Sequence, residues 1–299
     1  MKEKREKQQK QSYGKFVFNY YARACVQRSF QYDVGRESAA LAYYLLFSIF
    51  PLMIFFSILL GYAHLNQVPI VAGIYDLLPV EAASMIAEYL HHVSSVQFGP
   101  ALLTVLFFCL WFPMRATNSL LTAIRKGIGR KPISHGFLRT QLHLLLYAVF
   151  LMFAIMFGVL FMVLSNSVLE LLSEIFALSD IFTYIWRRFR LLFLAVLMFL
   201  VLYVFYLSGC EERHPPFYKI CPGIFGAFAA WMIISNIFSH AVGGISVYSV
   251  IYGSISAIII LMLWLYLTST VLIMGNVFNQ IMNDTRKQYG SWKPPMPKN

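Results

Sequence analysis

The chain has 299 residues, 59% of them hydrophobic and only 12% charged, with a mean hydropathy of +0.65 and a net charge of +11. A water-soluble domain carries about 25% charged residues, so this composition excludes a soluble surface and fits a bilayer as solvent. Nucleic acid is excluded as a partner by where the charge lies: nine of the 24 Lys and Arg fall in residues 1–38, and most others in short gaps between apolar runs, with no basic groove threaded by aromatics.

The first element is a basic amphipathic helix over 13–30. Phe16, Val17, Tyr20, Tyr21 and Ala24 fall on one stripe, with Lys15, Asn19, Arg23 and Arg28 elsewhere. Such a helix is expected to lie on the inner leaflet. About 20 apolar residues span the hydrocarbon core. Six segments qualify: 39–62, 101–121, 142–164, 191–208, 221–242 and 250–274. Between the first two, 80–93 reads as a second amphipathic helix entered at Pro79, on the opposite face of the membrane; whether 68–93 re-enters the bilayer is left open. The stretch 166–190 is mixed and ends in Trp186-Arg187-Arg188-Phe189-Arg190, and the Pro-rich tail from Gly290 reads as unstructured. Placing the N-terminus inside puts 20 Lys and Arg on the cytoplasmic side against 3 outside, which orients the chain with both ends cytoplasmic. The expected fold is therefore an all-α membrane bundle of six transmembrane helices with peripheral amphipathic helices. Residues 1–38 form a basic cytoplasmic segment, 39–279 the membrane domain, and 280–299 a cytoplasmic tail.

Several residues stand out against that frame. Pro51 and Pro113 lie inside the first two spans, where proline removes a backbone bond and crowds the carbonyl four residues back. Each reads as a hinge or as a static kink, and the Ser48 hydroxyl is a candidate to satisfy the freed backbone near Pro51. Glu37 opens the first span, and Arg115, near Asn118, lies within the second. Antiparallel packing would bring them to a common depth, so they are expected to pair, with anionic head-group binding by Arg115 as the alternative. Asn236 and His240 share a face of the fifth span; Asn276 and Asn279 lie at the inner end of the sixth. Both pairs read either as path-lining groups or as interhelical glue. Arg187, Arg188 and Arg190 break the orientation rule and suit a phosphate or an anionic envelope polymer on the outer leaflet, or simple anchorage.

Catalysis finds little support. The acidic residues outside are dispersed, His91-His92 lacks zinc spacing, and no phosphate-binding glycine loop or nucleophile elbow occurs. Cys25, Cys109, Cys210 and Cys221 are expected to stay unbridged, and Cys210, His214 and Cys221 are too loosely spaced for a zinc site. No cofactor or metal is expected, and membrane lipids are the expected partners.

The run Glu37-Ser-Ala-Ala-Leu-Ala-Tyr-Tyr-Leu-Leu-Phe-Ser-Ile-Phe-Pro51 resembles the opening span of the YihY / virulence factor BrkB family. Tyr248 to Ser254, Leu263-Trp-Leu-Tyr-Leu267 and Gly275-Asn-Val-Phe-Asn279 resemble its last span, and Leu110-Trp111 and Cys221-Pro-Gly223 fit its middle. Two departures stand out: Asn276 occupies a position often acidic in the family, and 209–219 replaces a more basic stretch. The resemblance implies a six-span bacterial inner-membrane protein of a family once labelled a ribonuclease. Its implied roles lie in the envelope: integrity, resistance to serum killing, and export of lipid or solute. Transport or flipping of an anionic, lipid-like amphiphile leads; a structural or assembly protein of the envelope is the alternative. Oligomeric state, substrate and energy source stay open.

Overall fold

A computed structural model describes the backbone of residues 2–62, 80, 83–84, 88, 101–126, 136–176, 180–208, 215–243, 254–292 and 294–295. Among these residues the chain is all helix: α1 (Lys2–Gln31), α2 (Val34–Tyr62), α3 (Ala101–Lys126), α4 (Phe137–Phe176), α5 (Asp180–Ser208), a 3-10 turn (Phe217–Lys219), α6 (Cys221–Gly243) and α7 (Ser254–Tyr289). Four stretches are long and apolar enough to cross a membrane, Val34–Phe55, Leu138–Gly158, Cys221–Ala241 and Ile255–Tyr289, and Leu192–Ser208 is a shorter apolar one. The predicted span at 101–121 falls within helix α3 but is not among the four found among the described residues.

Helices α2 to α7 close a ring in chain order: each packs on the next, and α7 returns to α2. The α2–α3, α6–α7 and α7–α2 seams are the most extensive, and α5 packs least against α6. α3 also reaches across to α5 and α7. The main core gathers Leu41, Leu121, Ile124, Leu144, Phe205, Tyr206, Ile224, Ile273 and Val277, drawn from all six helices of the ring.

Two helices outrun their predicted spans. α4 runs 40 residues, about 60 Å at 1.5 Å per residue, twice a hydrocarbon core of about 30 Å. Ser165, Asn166 and Ser167 end the apolar run there without ending the helix, because 159–176 contain no glycine or proline. α5 likewise begins at Asp180 rather than near 191. α7 continues through its polar last turns to Tyr289.

Both terminal segments meet at one end of the ring, the basic end. Tyr13 donates to the Pro294 carbonyl (3.1 Å) and Tyr21 to that of Trp292. Arg28 pairs with Asp284 at 2.6 Å. The Arg286 guanidinium lies 4.4 Å from the Tyr218 ring centroid and 4.8 Å from that of Trp292. The described part of the tail is thus tied down, contrary to its proline-rich reading: aromatic rings and carbonyls supply the partners that composition does not reveal. The α1–α2 corner turns at Asp33, whose positive φ of 51° places it in the left-handed region that Asp tolerates better than most residues. Of the predicted 80–93 helix only 80, 83, 84 and 88 are described, all helical; the rest lies outside the described residues.

Candidate functional site

At the basic end the first partner of Glu37 differs from the expected one. Glu37 and Lys126 lie 3.1 Å apart, Asp33 and Lys126 3.4 Å, and Arg36 lies 3.6 Å from Glu37 and 3.5 Å from Asp33. The Glu37 side chain is only 15% exposed. The α2–α3 antiparallel register sets this, since Phe47 meets Phe112 one level up. Arg115 stands eleven residues before Lys126, about 16 Å along the axis, out of reach of Glu37.

Arg115 instead lies on the exposed side of α3, and its guanidinium sits 4.6 Å from the centroid of the Trp111 ring. Trp111 stacks on Phe107 (5.5 Å, 23°), and Phe108 stacks on Phe112 (5.5 Å, 20°). Phe112 meets Phe47, which meets Tyr43. An outward rack of aromatics therefore runs up α2 and α3 and ends at a cation. Trp111 lies N-terminal to Arg115, so the cation leans away from the basic end. Among the described residues no carboxylate pairs with it. Asn118, one turn on, is half-buried.

Asn276 and Asn279 are buried in the α3–α6–α7 junction. Asn276 Nδ2 donates to the Ile124 carbonyl (3.2 Å), one of the last α3 carbonyls that lack an intrahelical donor. Asn279 Nδ2 donates to the Ile220 carbonyl (2.7 Å), and its Oδ1 accepts from the Gly223 N–H (2.5 Å), capping the start of α6 from another helix. Gln280 adds a 3.5 Å bond to the Ile124 carbonyl, and Asn283 one to the Lys219 carbonyl at 3.2 Å. Tyr206 donates to the Leu272 carbonyl at 2.5 Å. The seam is close because it has almost no side chain: a Cβ on Gly275 would lie 2.6 Å from Ala227 Cβ and 2.8 Å from the Gly223 carbonyl oxygen. The pair singled out from sequence is half of a stripe at 276, 279, 280 and 283, whose i, i+3, i+4, i+7 spacing was there to be read. Tyr206 and Lys126 carried no such signal.

The remaining candidates are not gathered with these. Asn236 and His240 are exposed, opposite the glycine seam, and the ring Nδ1 of His240 lies 2.9 Å from the Asn236 carbonyl. Arg187, Arg188 and Arg190 lie on helical backbone of α5 with side chains outside the described residues. Pro51 and Pro113 are buried in helices that continue through them. Ser48 bonds its own i−4 carbonyl, Tyr44 (2.6 Å), rather than the Phe47 carbonyl that Pro51 leaves without a donor. Cys25, Cys109 and Cys221 are unbridged; Cys210 and His214 lie outside the described residues. Among the described residues no three His, Cys, Asp or Glu side chains converge. Burial pushes the Cys25 thiol above its ordinary value, opposed by Arg28, and pushes the Tyr21 phenol up, opposed by a bond to Thr285.

A ring of long apolar helices, held by a buried amide seam, defines a multi-pass membrane protein. The chain belongs to the Virulence factor BrkB family, whose model matches residues 25–298. It is 26% identical over 251 residues to the putative ribonuclease-like protein YfkH of Bacillus subtilis (strain 168), covering 84% of this chain and 90% of that one. No solved structure matches it.

Proposed function

We propose that the chain crosses the bacterial inner membrane six times with both ends in the cytoplasm, and moves an anionic, lipid-like amphiphile between leaflets along the outward face of α3. The observation that carries this is Arg115. It lies six residues, or about 9 Å, inside the cytoplasmic end of the predicted 101–121 span, within a core of about 30 Å. An arginine at the centre of a span costs about 2.5 to 3.5 kcal/mol by insertion scales, and less toward the interface. The Trp111 face offsets about 0.5 to 2 kcal/mol of that. An anionic head group supplies the rest, and the aromatic rack gives its chains a surface. A cation held only for anchorage would extend toward the basic end; this one leans away from it. Arg187, Arg188 and Arg190 would receive the head group at the outer interface. In this reading the chain is not an enzyme, and the ribonuclease-like label stays with the Bacillus relative.

The test is purified protein in vesicles carrying labelled phosphatidylglycerol, followed by chemical quenching of the outer leaflet. Translocation should exceed that of protein-free vesicles, and Arg115→Gln should slow it about tenfold, the equivalent of about 1.4 kcal/mol. Equal rates with and without protein would overturn the reading. The second reading, a structural or assembly protein, is favoured by one observation: Asn276, Asn279, Gln280 and Asn283 all bond the backbone of neighbouring elements. Vesicles with intact, inert protein would select it.

A further inference from the structure

α1 was expected to lay Phe16, Val17, Tyr20, Tyr21 and Ala24 on a membrane. Tyr21 and Ala24 instead pack on the bundle core, with Tyr21 against Phe278 of α7. A different row is left in the open: Phe18 (72% exposed), Ala22, Val26 (57%) and Phe30 (79%), spaced by four along one line of the helix. Beside it runs a groove of about 690 Å³, in the size range of ligand clefts. Its described lining comes entirely from α1 and includes Asn19, Tyr20, Arg23, Gln27, Arg28 and Gln31. No carboxylate is among the described lining residues. Arg28 is held by Asp284, whereas no described carboxylate pairs with Arg23, which is exposed.

From these placements we propose that the α1 groove is a binding site for the phosphate head group of an anionic phospholipid at the cytoplasmic leaflet. The guanidinium of Arg23 and the amides of Gln27 and Gln31 are donors suited to phosphate oxygens. Arg23 and Val26, and Gln27 and Phe30, are three apart and therefore neighbours on the helix surface. The polar rim and the exposed apolar row thus lie side by side. A soluble phosphate needs only the first; a phospholipid needs both. The site stands at the basic end, on a different element from Arg115, and does not rest on the translocation reading: the vesicle assay can fail and this site remain.

Native mass spectrometry of the full chain with equal phosphatidylglycerol and phosphatidylcholine tests it. The wild type should retain phosphatidylglycerol in preference. Arg23→Gln should lower that preference about tenfold, the loss of one charge-assisted contact, while Arg23→Lys keeps most of it. Phe18→Ser with Phe30→Ser should weaken retention of both lipids. An unchanged preference in Arg23→Gln overturns the site. Equal loss in Arg23→Gln and Arg23→Lys assigns the effect to folding and overturns it too. Displacement of the lipid by millimolar inorganic phosphate would mark a free-phosphate site and overturn the lipid assignment.

Discussion

The α6–α7 seam and the outward face of α3 treat polar groups in opposite ways. In the seam the amides bond backbone groups at the ends of neighbouring helices, and glycines bring the two backbones within reach. On α3 a full charge faces outward, with an aromatic ring as its described contact. Burying satisfied amides stabilises an arrangement of helices; leaving a cation on an outward face does not. The seam is therefore where stability should reside, and α3 where a lipid-directed activity should.

Substitutions can break that division. The largest effect is expected at Gly275→Leu, because even a Cβ there would lie 2.5 Å from the Tyr206 hydroxyl and 2.6 Å from Ala227. A loss of about 3 kcal/mol, read as a lower unfolding temperature in detergent, would place the seam at the centre of stability. Next comes Asn279→Leu, which orphans the Gly223 N–H and removes the side-chain donor to the Ile220 carbonyl; about 1 to 2 kcal/mol should be lost. Glu37→Lys should cost about 1 kcal/mol, and adding Lys126→Glu should recover most of it, whereas adding Arg115→Glu should not. Arg115→Gln should change stability by less than about 0.5 kcal/mol while slowing translocation. A large stability loss at Arg115 would collapse the comparison.

The smallest effect concerns the docking of α1. Burial raises the Tyr21 phenol and the Cys25 thiol above their ordinary values. Their contribution is complete below those values and falls as pH rises through the shifted ones. Proteolysis of α1 should therefore quicken as pH rises above the ordinary thiol value of about 8.5, and further as it rises above the ordinary phenol value of about 10.

Much of the bundle was legible because apolar length and charge placement are local properties. Five of the predicted spans fall within helices, as does the described part of the sixth from Ser254, and Asn276 and Asn279 were visible as polar residues beside an apolar run. The partners were not legible. Glu37 could be assigned a basic partner across the α2–α3 pair, but choosing Lys126 over Arg115 needs the register, which side-chain packing such as Phe47 on Phe112 fixes. The α1 stripe failed for a related reason. Two faces of that helix carry apolar residues, and composition cannot say which one α7 covers.

The sequence by itself determined that this chain belongs in a membrane, where its apolar runs lie, and which polar residues interrupt them. These follow from solvation, which each segment meets alone. Only the tertiary structure decided that the α7 amides close the ends of α3 and α6, that Asn236 and His240 turn outward, and that Arg115 leans on Trp111 rather than on Glu37. Those outcomes depend on which helix faces which, and the glycine seam and the α2–α3 register set that only when the ring closes.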